Sequence, residues 1–310
     1  MTRTRIGFGV LASVAVLISA NLGANGTMGR DDDDGEAFGP WSAPVHLGPV
    51  VNSTALDAGP SISRDGLSLY FHSARAGLPS NPDLYVSHRA AIDLPWEAPV
   101  KLGPAIDTDL AEAGPTVSKN GHFLFFGAFR SGSFDVYVSR RQNTADDLAW
   151  EAPVALPSPI NGPSFDVPSD YFENPHGDAQ LYFASDRANG LGAPGLDIYV
   201  SDLRRDGTWS DPVYVTELNS AFQDDRPAIR ADGLEIIFGS SREGSLDLYV
   251  SRRDHVHDAW SAPVNLGAVV NSTGNDIHPA LSANGRTLYF ASNRSGNFDL
   301  YACTRSKIRD

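Results

Sequence analysis

The chain has 310 residues, 41% of them hydrophobic, and a formal charge of −14. That apolar fraction supports a sizeable core, in one large all-β domain or two ordinary ones. Such an acidic balance argues against nucleic acid and anionic membrane surfaces, which would repel it, and leaves cations, sugars, peptides and basic proteins as partners.

Residues 1–24 stand apart. A basic start, MTRTR, precedes the apolar run IGFGVLASVAVLISA and the small residues NLGANG. This is the pattern of a secretory signal peptide, with cleavage expected after Ala20 or Ala24. The run is short for a membrane-spanning helix. The expectation is a periplasmic or secreted protein with no membrane insertion after cleavage. Residues 25–40, with RDDDDGEAFG, read as an acidic flexible spacer. Four successive Asp without spaced ligands do not make a calcium loop. Cys303, the single cysteine, cannot form an internal disulfide and reads as a buried small residue.

From residue 41 the chain repeats itself. Trp41, Trp96, Trp150, Trp209 and Trp260 are separated by 55, 54, 59 and 51 residues, and each opens a phrase such as WSAPVHLG or WEAPVKLG. Each phrase is followed by Asn52, Asp107, Asn161, Asn219 or Asn271, and then by Asp57, Glu112, Asp166, Asp224 or Asp276. Segments such as GPSISRDGLSLYF come next. A turn and the strand PDLYV, FDVYV, LDIYV, LDLYV or FDLYA follow. The third copy, VPSDYFENPHGDAQLYF, is longer and irregular.

Each unit reads as four short antiparallel strands. Asp65-Gly66, Asn120-Gly121, Asp232-Gly233 and Asn284-Gly285 are hairpin signals, expected to place both turn residues at positive φ. The Pro of the Trp phrase suits an exposed edge strand. Four strands every 50 to 60 residues, without helical periodicity, describe propeller blades. The expected fold is an all-β, five-bladed β-propeller over residues 41–305, with a tail at 306–310. Because the last unit lacks an outer strand, residues 41–48 are expected to complete it, beside Asp299 to Cys303. A monomer is expected.

The pattern S-x-D-G-x-x-L-Y-F-x-S-x-R-x-G-x-x-D-L-Y resembles the WD40-like, TolB-type propeller repeat of exported bacterial proteins. Asp65, Gly66, Arg75, Asp83 and Tyr85 carry it in the first unit, and Asn284, Gly285, Arg294, Asp299 and Tyr301 in the last. The resemblance implies the propeller and not a function. TolB carries an extra α/β domain before six blades, so its role in a cell-envelope complex does not transfer.

Two sets of repeated residues invite a functional reading. Arg75/Asp83, Arg130/Asp135, Arg187/Asp197, Arg242/Asp247 and Arg294/Asp299 are read as structural braces across the turn before each DLY strand. Asp57, Glu112, Asp166, Asp224 and Asp276 precede the first strand of each blade, which lines the channel in a propeller. They are read either as caps on loop N–H groups or as a carboxylate ring at the channel mouth. Such a ring would suit a sugar or a hard cation such as calcium; no other cofactor is expected. Residues that break the repeat are the sharper pointers, because the fold does not demand them. They are Asp225, Arg226 and His278, with Asp170, Tyr171, Glu173 and His176 in the third unit. His255 and His257 read as a solvated loop rather than a metal site.

Two functions remain open. One is an exported binding or scaffold module that takes a protein, peptide or glycan at one channel mouth. The other is a hydrolase or lyase acting on a carbohydrate or lactone with channel carboxylates such as Asp57, Glu112 and Asp166, assisted by calcium. Inverting glycoside hydrolysis would need two carboxyls roughly 6.5–9.5 Å apart, one with a raised pKa.

Overall fold

A computed structural model describes residues 37–308, except 78–79, 175–177 and 189–194. The leader over 1–24, the spacer as far as residue 36, and His176 lie outside the described residues. Twenty strands form five four-stranded antiparallel sheets, and no helix occurs among the described residues. The inner strands are Asp57–Ile62, Glu112–Val117, Asp166–Glu173, Asp224–Ile229 and Asp276–Leu281. Each packs on the next, and the last packs on the first, which closes a five-bladed propeller.

Ring closure follows the expected seam. Val45–His46 pairs with the third strand of blade five, Val45 against Ala302 and His46 against Tyr301. Phe38 bridges to Lys307 beyond it. The outer strands are only two residues long, as at Val100–Lys101 and Val154–Ala155. The Pro one residue earlier removes a ladder donor there.

The Trp repeat has a packing cause. Arg89, Arg141, Arg253 and Arg305 stack their guanidinium groups 4.1 to 4.4 Å from the ring centres of Trp96, Trp150, Trp260 and Trp41. Their Nε atoms donate to the carbonyls of Gly66, Gly121, Gly233 and Gly285. Each hairpin turn is thereby tied to the Trp phrase of its own blade. In blade five the tie joins the two chain ends.

Those turns differ from the expectation in one respect. Only the glycines take positive φ, 75°, 74°, 79° and 65°. Asp65, Asn120, Asp232 and Asn284 instead accept the N–H two residues on. The side chain thus supplies an Asx turn, and the left-handed step falls on glycine alone.

Each blade interface buries its own apolar cluster. Between blades one and two it holds Tyr70, Leu84, Leu124, Phe126 and Trp150. Cys303 is free and buried in the cluster of blades four and five, where burial pushes its thiol up to about 12.

Candidate functional site

Three levels of the inner strands matter: their start, a bulge two residues in, and their far end. At the start stand Asp57, Glu112, Asp166, Asp224 and Asp276, all fully buried. Each pairs with the arginine that follows the second strand. Arg75 Nη2 lies 2.6 Å from Asp57, and Arg130, Arg187, Arg242 and Arg294 lie 2.9, 2.7, 2.6 and 2.5 Å from Glu112, Asp166, Asp224 and Asp276. A loop N–H from Ser53, Thr108, Gly162, Ser220 or Ser272 also donates to each carboxylate. The arginines reach on to loop carbonyls, Val51 and Leu218 among them. These five acids are internal struts rather than an open ring of ligands at the mouth.

The expected brace is corrected in its partner. Asp83 pairs with Lys101 at 2.8 Å, Asp135 takes Ser131 and Ser133, Asp247 takes Asn265, and Asp299 takes Ser295 and His46. Asp197 heads the same strand in blade three. The cause is lateral: Asp57 pairs with Ser73 across the ladder, which brings Arg75 beside Asp57.

Asp83, Asp107 and Glu112 are the one group of three among the described residues whose ligand atoms converge as metal donors would. Lys101 and Arg130 already neutralise Asp83 and Glu112. Asp107 replaces the Asn of the other blades. There the Asn amide brackets a strand residue, as Asn52 does Leu300, accepting its N–H and donating to its carbonyl. Asp107 Oδ1 accepts Leu84 N–H at 2.8 Å, but Oδ2 is buried with no hydrogen-bond partner among the described residues. Burial pushes this carboxyl up to about 7. A protonated Asp107 donating to the Leu84 carbonyl would reproduce the Asn and balance the cluster without a metal.

At the bulge, Gly59 and Gly114 take φ of 62° and 61°. Blades four and five place Arg226 and His278 in the same left-handed step, with φ of 51° and 54°. These are the two non-glycine residues with positive φ among the described residues, and such strain collects at functional sites. Blade three has Pro168 there, in a bulge of the same length, and its ring excludes the left-handed step. Asp225 points the other way, against Gly239, and accepts from the Gln223 amide at 2.7 Å.

At the far end the inner strands open into a funnel of about 90 Å³ on the channel axis. One ring position is filled by Arg64, Lys119, Glu173, Ala231 and Ala283 in successive blades. Three charged side chains therefore face two alanines across the opening. No ion pair among the described residues joins Glu173 to Arg64 or Lys119, although both cations act on it electrostatically. Burial pulls Lys119 down and Arg64 adds to this. Burial pushes Glu173 up, offset by Lys119 and Arg64. Asp170, in the funnel wall, is pushed up to about 7 by desolvation, against the backbone N–H groups of Ile229 and Tyr171. Asp170 Oδ2 accepts Ile229 N–H from the next blade at 2.7 Å. In blade one the Ser61 hydroxyl makes the same link to Val117 N–H, so the link does not require a carboxyl.

The structure thus brings Asp170, Tyr171 and Glu173 together in the funnel and Arg226 with His278 at the bulge. It separates both groups from the struts. His255 and His257 lie exposed in the loop before Trp260. Sequence reasoning missed Arg64, Lys119 and His72. The cations look like turn residues in SRDG and SKNG. His72 stands where other blades have Gly127, Ala184, Gly239 and Ala291, a break in the repeat that was open to the same test.

The chain matches no protein-family model and no curated relative. Solved structures do share its fold. An α-L-arabinofuranosidase from Lactobacillus brevis superposes with a TM-score of 0.60 at 13% identity, covering 86% of this chain and 94% of that one. An endo-arabinase from Bacteroides thetaiotaomicron gives 0.57 at 16%, covering 88% and 99%. TolB from Acinetobacter baumannii gives 0.52 at 16%, covering 83% of this chain and 56% of that one. Likeness at such identity establishes the propeller fold and no more.

Proposed function

We propose that the protein acts on a saccharide at the axial funnel, as a hydrolase or lyase with Asp170 as proton donor. The single observation that carries this reading is Asp170: a repeat-breaking carboxyl, pushed to about 7 by burial, in the wall of an axial cavity that also holds Glu173. A carboxylic acid kept protonated beside a second carboxylate is the arrangement that glycoside cleavage uses. In this reading Asp170 protonates the leaving oxygen. Glu173, which burial pushes up against the pull of Lys119 and Arg64, serves as base. The alanines of blades four and five leave room for the sugar ring. The arabinofuranosidase and endo-arabinase that share its fold support a carbohydrate as the substrate class. The struts Asp57, Glu112 and Asp166 take no part, because their ion pairs occupy them. An exported site of action rests on the leader peptide.

A second reading, a glycan- or peptide-binding module without turnover, is favoured by one feature. Among the described residues, Arg64 and Lys119 face the funnel with no ion pair to a carboxylate, as groups that hold a ligand would.

The test is turnover and binding of arabino- and xylo-oligosaccharides by wild type, Asp170→Asn and Glu173→Gln. Turnover that falls at least 100-fold in Asp170→Asn with binding retained supports the enzyme. Binding without turnover in the wild type establishes the module. Neither binding nor turnover on any saccharide removes the enzyme and the glycan module and leaves only a peptide ligand for the funnel.

A further inference from the structure

Between the struts and the funnel the channel narrows to a waist at the bulge, lined by Gly59, Gly114, Ser169, Arg226 and His278. We propose that this waist binds one small monovalent anion of halide size, held by the Arg226 guanidinium. The proposal is independent of the funnel reading.

Arg226 crosses the channel from blade four toward blade two. A side chain at Gly114 would collide with its guanidinium. Arg226 is half-buried in the channel, and desolvation pulls its guanidinium down to about 10, with Asp225 acting against it. Its Nε has no hydrogen-bond partner among the described residues, and none of their ion pairs includes it. Asp225, the carboxyl nearest in sequence, is turned to Gly239 and held by Gln223. A desolvated cation without a contact partner is unfavourable, and an anion at contact relieves it.

Two further groups are left open at the same level. His278 Nδ1 and Ser169 Oγ are buried and likewise unpartnered among the described residues. Both can turn a hydrogen toward a guest. His72 and His278 lie 5.9 Å apart, ring centre to ring centre. His72 receives Gly114 N–H on Nδ1 at 3.3 Å. Burial, with Arg226 beside them, keeps both imidazoles neutral, so the guanidinium supplies the positive charge. The space is about 20 Å³, enough for a halide ion or a water and too small for a sugar ring. A metal cation there would face the guanidinium, so the waist is a poor seat for calcium.

The test uses the full chain with bromide as probe. Crystals grown in sodium bromide should show an anomalous peak within hydrogen-bonding distance of Arg226. Thermal unfolding should shift upward with bromide, saturably, compared with sodium gluconate at equal ionic strength. Arg226→Gly should lose both signals. That variant is expected to fold, because Gly59 and Gly114 hold the same step with φ of 62° and 61°. Absence of the anomalous peak, or a bromide shift that persists in Arg226→Gly, would overturn the proposal and leave a water in the waist.

Discussion

The struts and the bulge lie on the same five inner strands, two residues apart, yet they obey opposite rules. At the struts every blade has a carboxylate and an arginine in one geometry, and every carboxylate is sealed. At the bulge and the funnel the residue changes from blade to blade, and polar groups are left without partners or pushed from their usual pKa. Repetition marks what the ring needs in order to stand. Departure marks what one ligand would need, since a ligand without five-fold symmetry cannot use five equal contacts.

That contrast can be broken first at a strut. Asp276→Ala leaves Arg294 without its carboxylate, and Arg294 is only 21% exposed there. A loss of about 3 to 5 kcal/mol is expected in denaturant unfolding, the range for breaking a buried ion pair from one side. A loss below about 1 kcal/mol would show that the struts do not hold the ring.

Asp107→Asn should act in the opposite direction. The folded-state pKa of Asp107 is raised, from 3.8 to about 7. Its stabilising contribution is therefore complete below about pH 4 and lost as pH rises through 7. Asn supplies the same donor at every pH. The variant should gain on the order of 3 kcal/mol at pH 8 and almost nothing at pH 4. Unfolding midpoints across that range check it. An equal effect at both ends would remove the protonated Asp107.

Asp170 sharpens the comparison through chemistry. If it donates a proton, turnover should fall as pH rises through about 7, and Asp170→Asn should flatten that limb with an unfolding midpoint close to wild type. The smallest effect belongs to Arg226→Gly. Releasing a left-handed arginine should stabilise the fold by about 1 kcal/mol in bromide-free buffer, measurable by the same unfolding assay.

The blade count, the closing seam and the repeat-breaking residues were legible in the sequence, because each is a matter of period. The Trp phrases count the blades, and the missing outer strand of the last unit calls for residues 41–48. Partner choice was not legible. Arg75 and Asp83 lie close along the chain, but Arg75 and Asp57 meet across a ladder whose register only the folded sheet displays. The funnel was half legible. Asp170 and Glu173 stood out in an irregular unit, whereas Arg64 and Lys119 were hidden among turn residues that a hairpin would place in solvent. A propeller gathers five such turns about one axis, and solvent-facing positions become a shared wall.

The most direct measurement is backbone hydrogen exchange with and without a mixture of arabino- and xylo-oligosaccharides. Protection confined to the inner-strand ends, residues 62–64, 117–119, 170–173, 229–231 and 281–283, is the predicted result. Protection at the opposite rim around Asp57, Asp224 and Asp276, or none anywhere, would contradict the assignment of the site to the departures from the repeat.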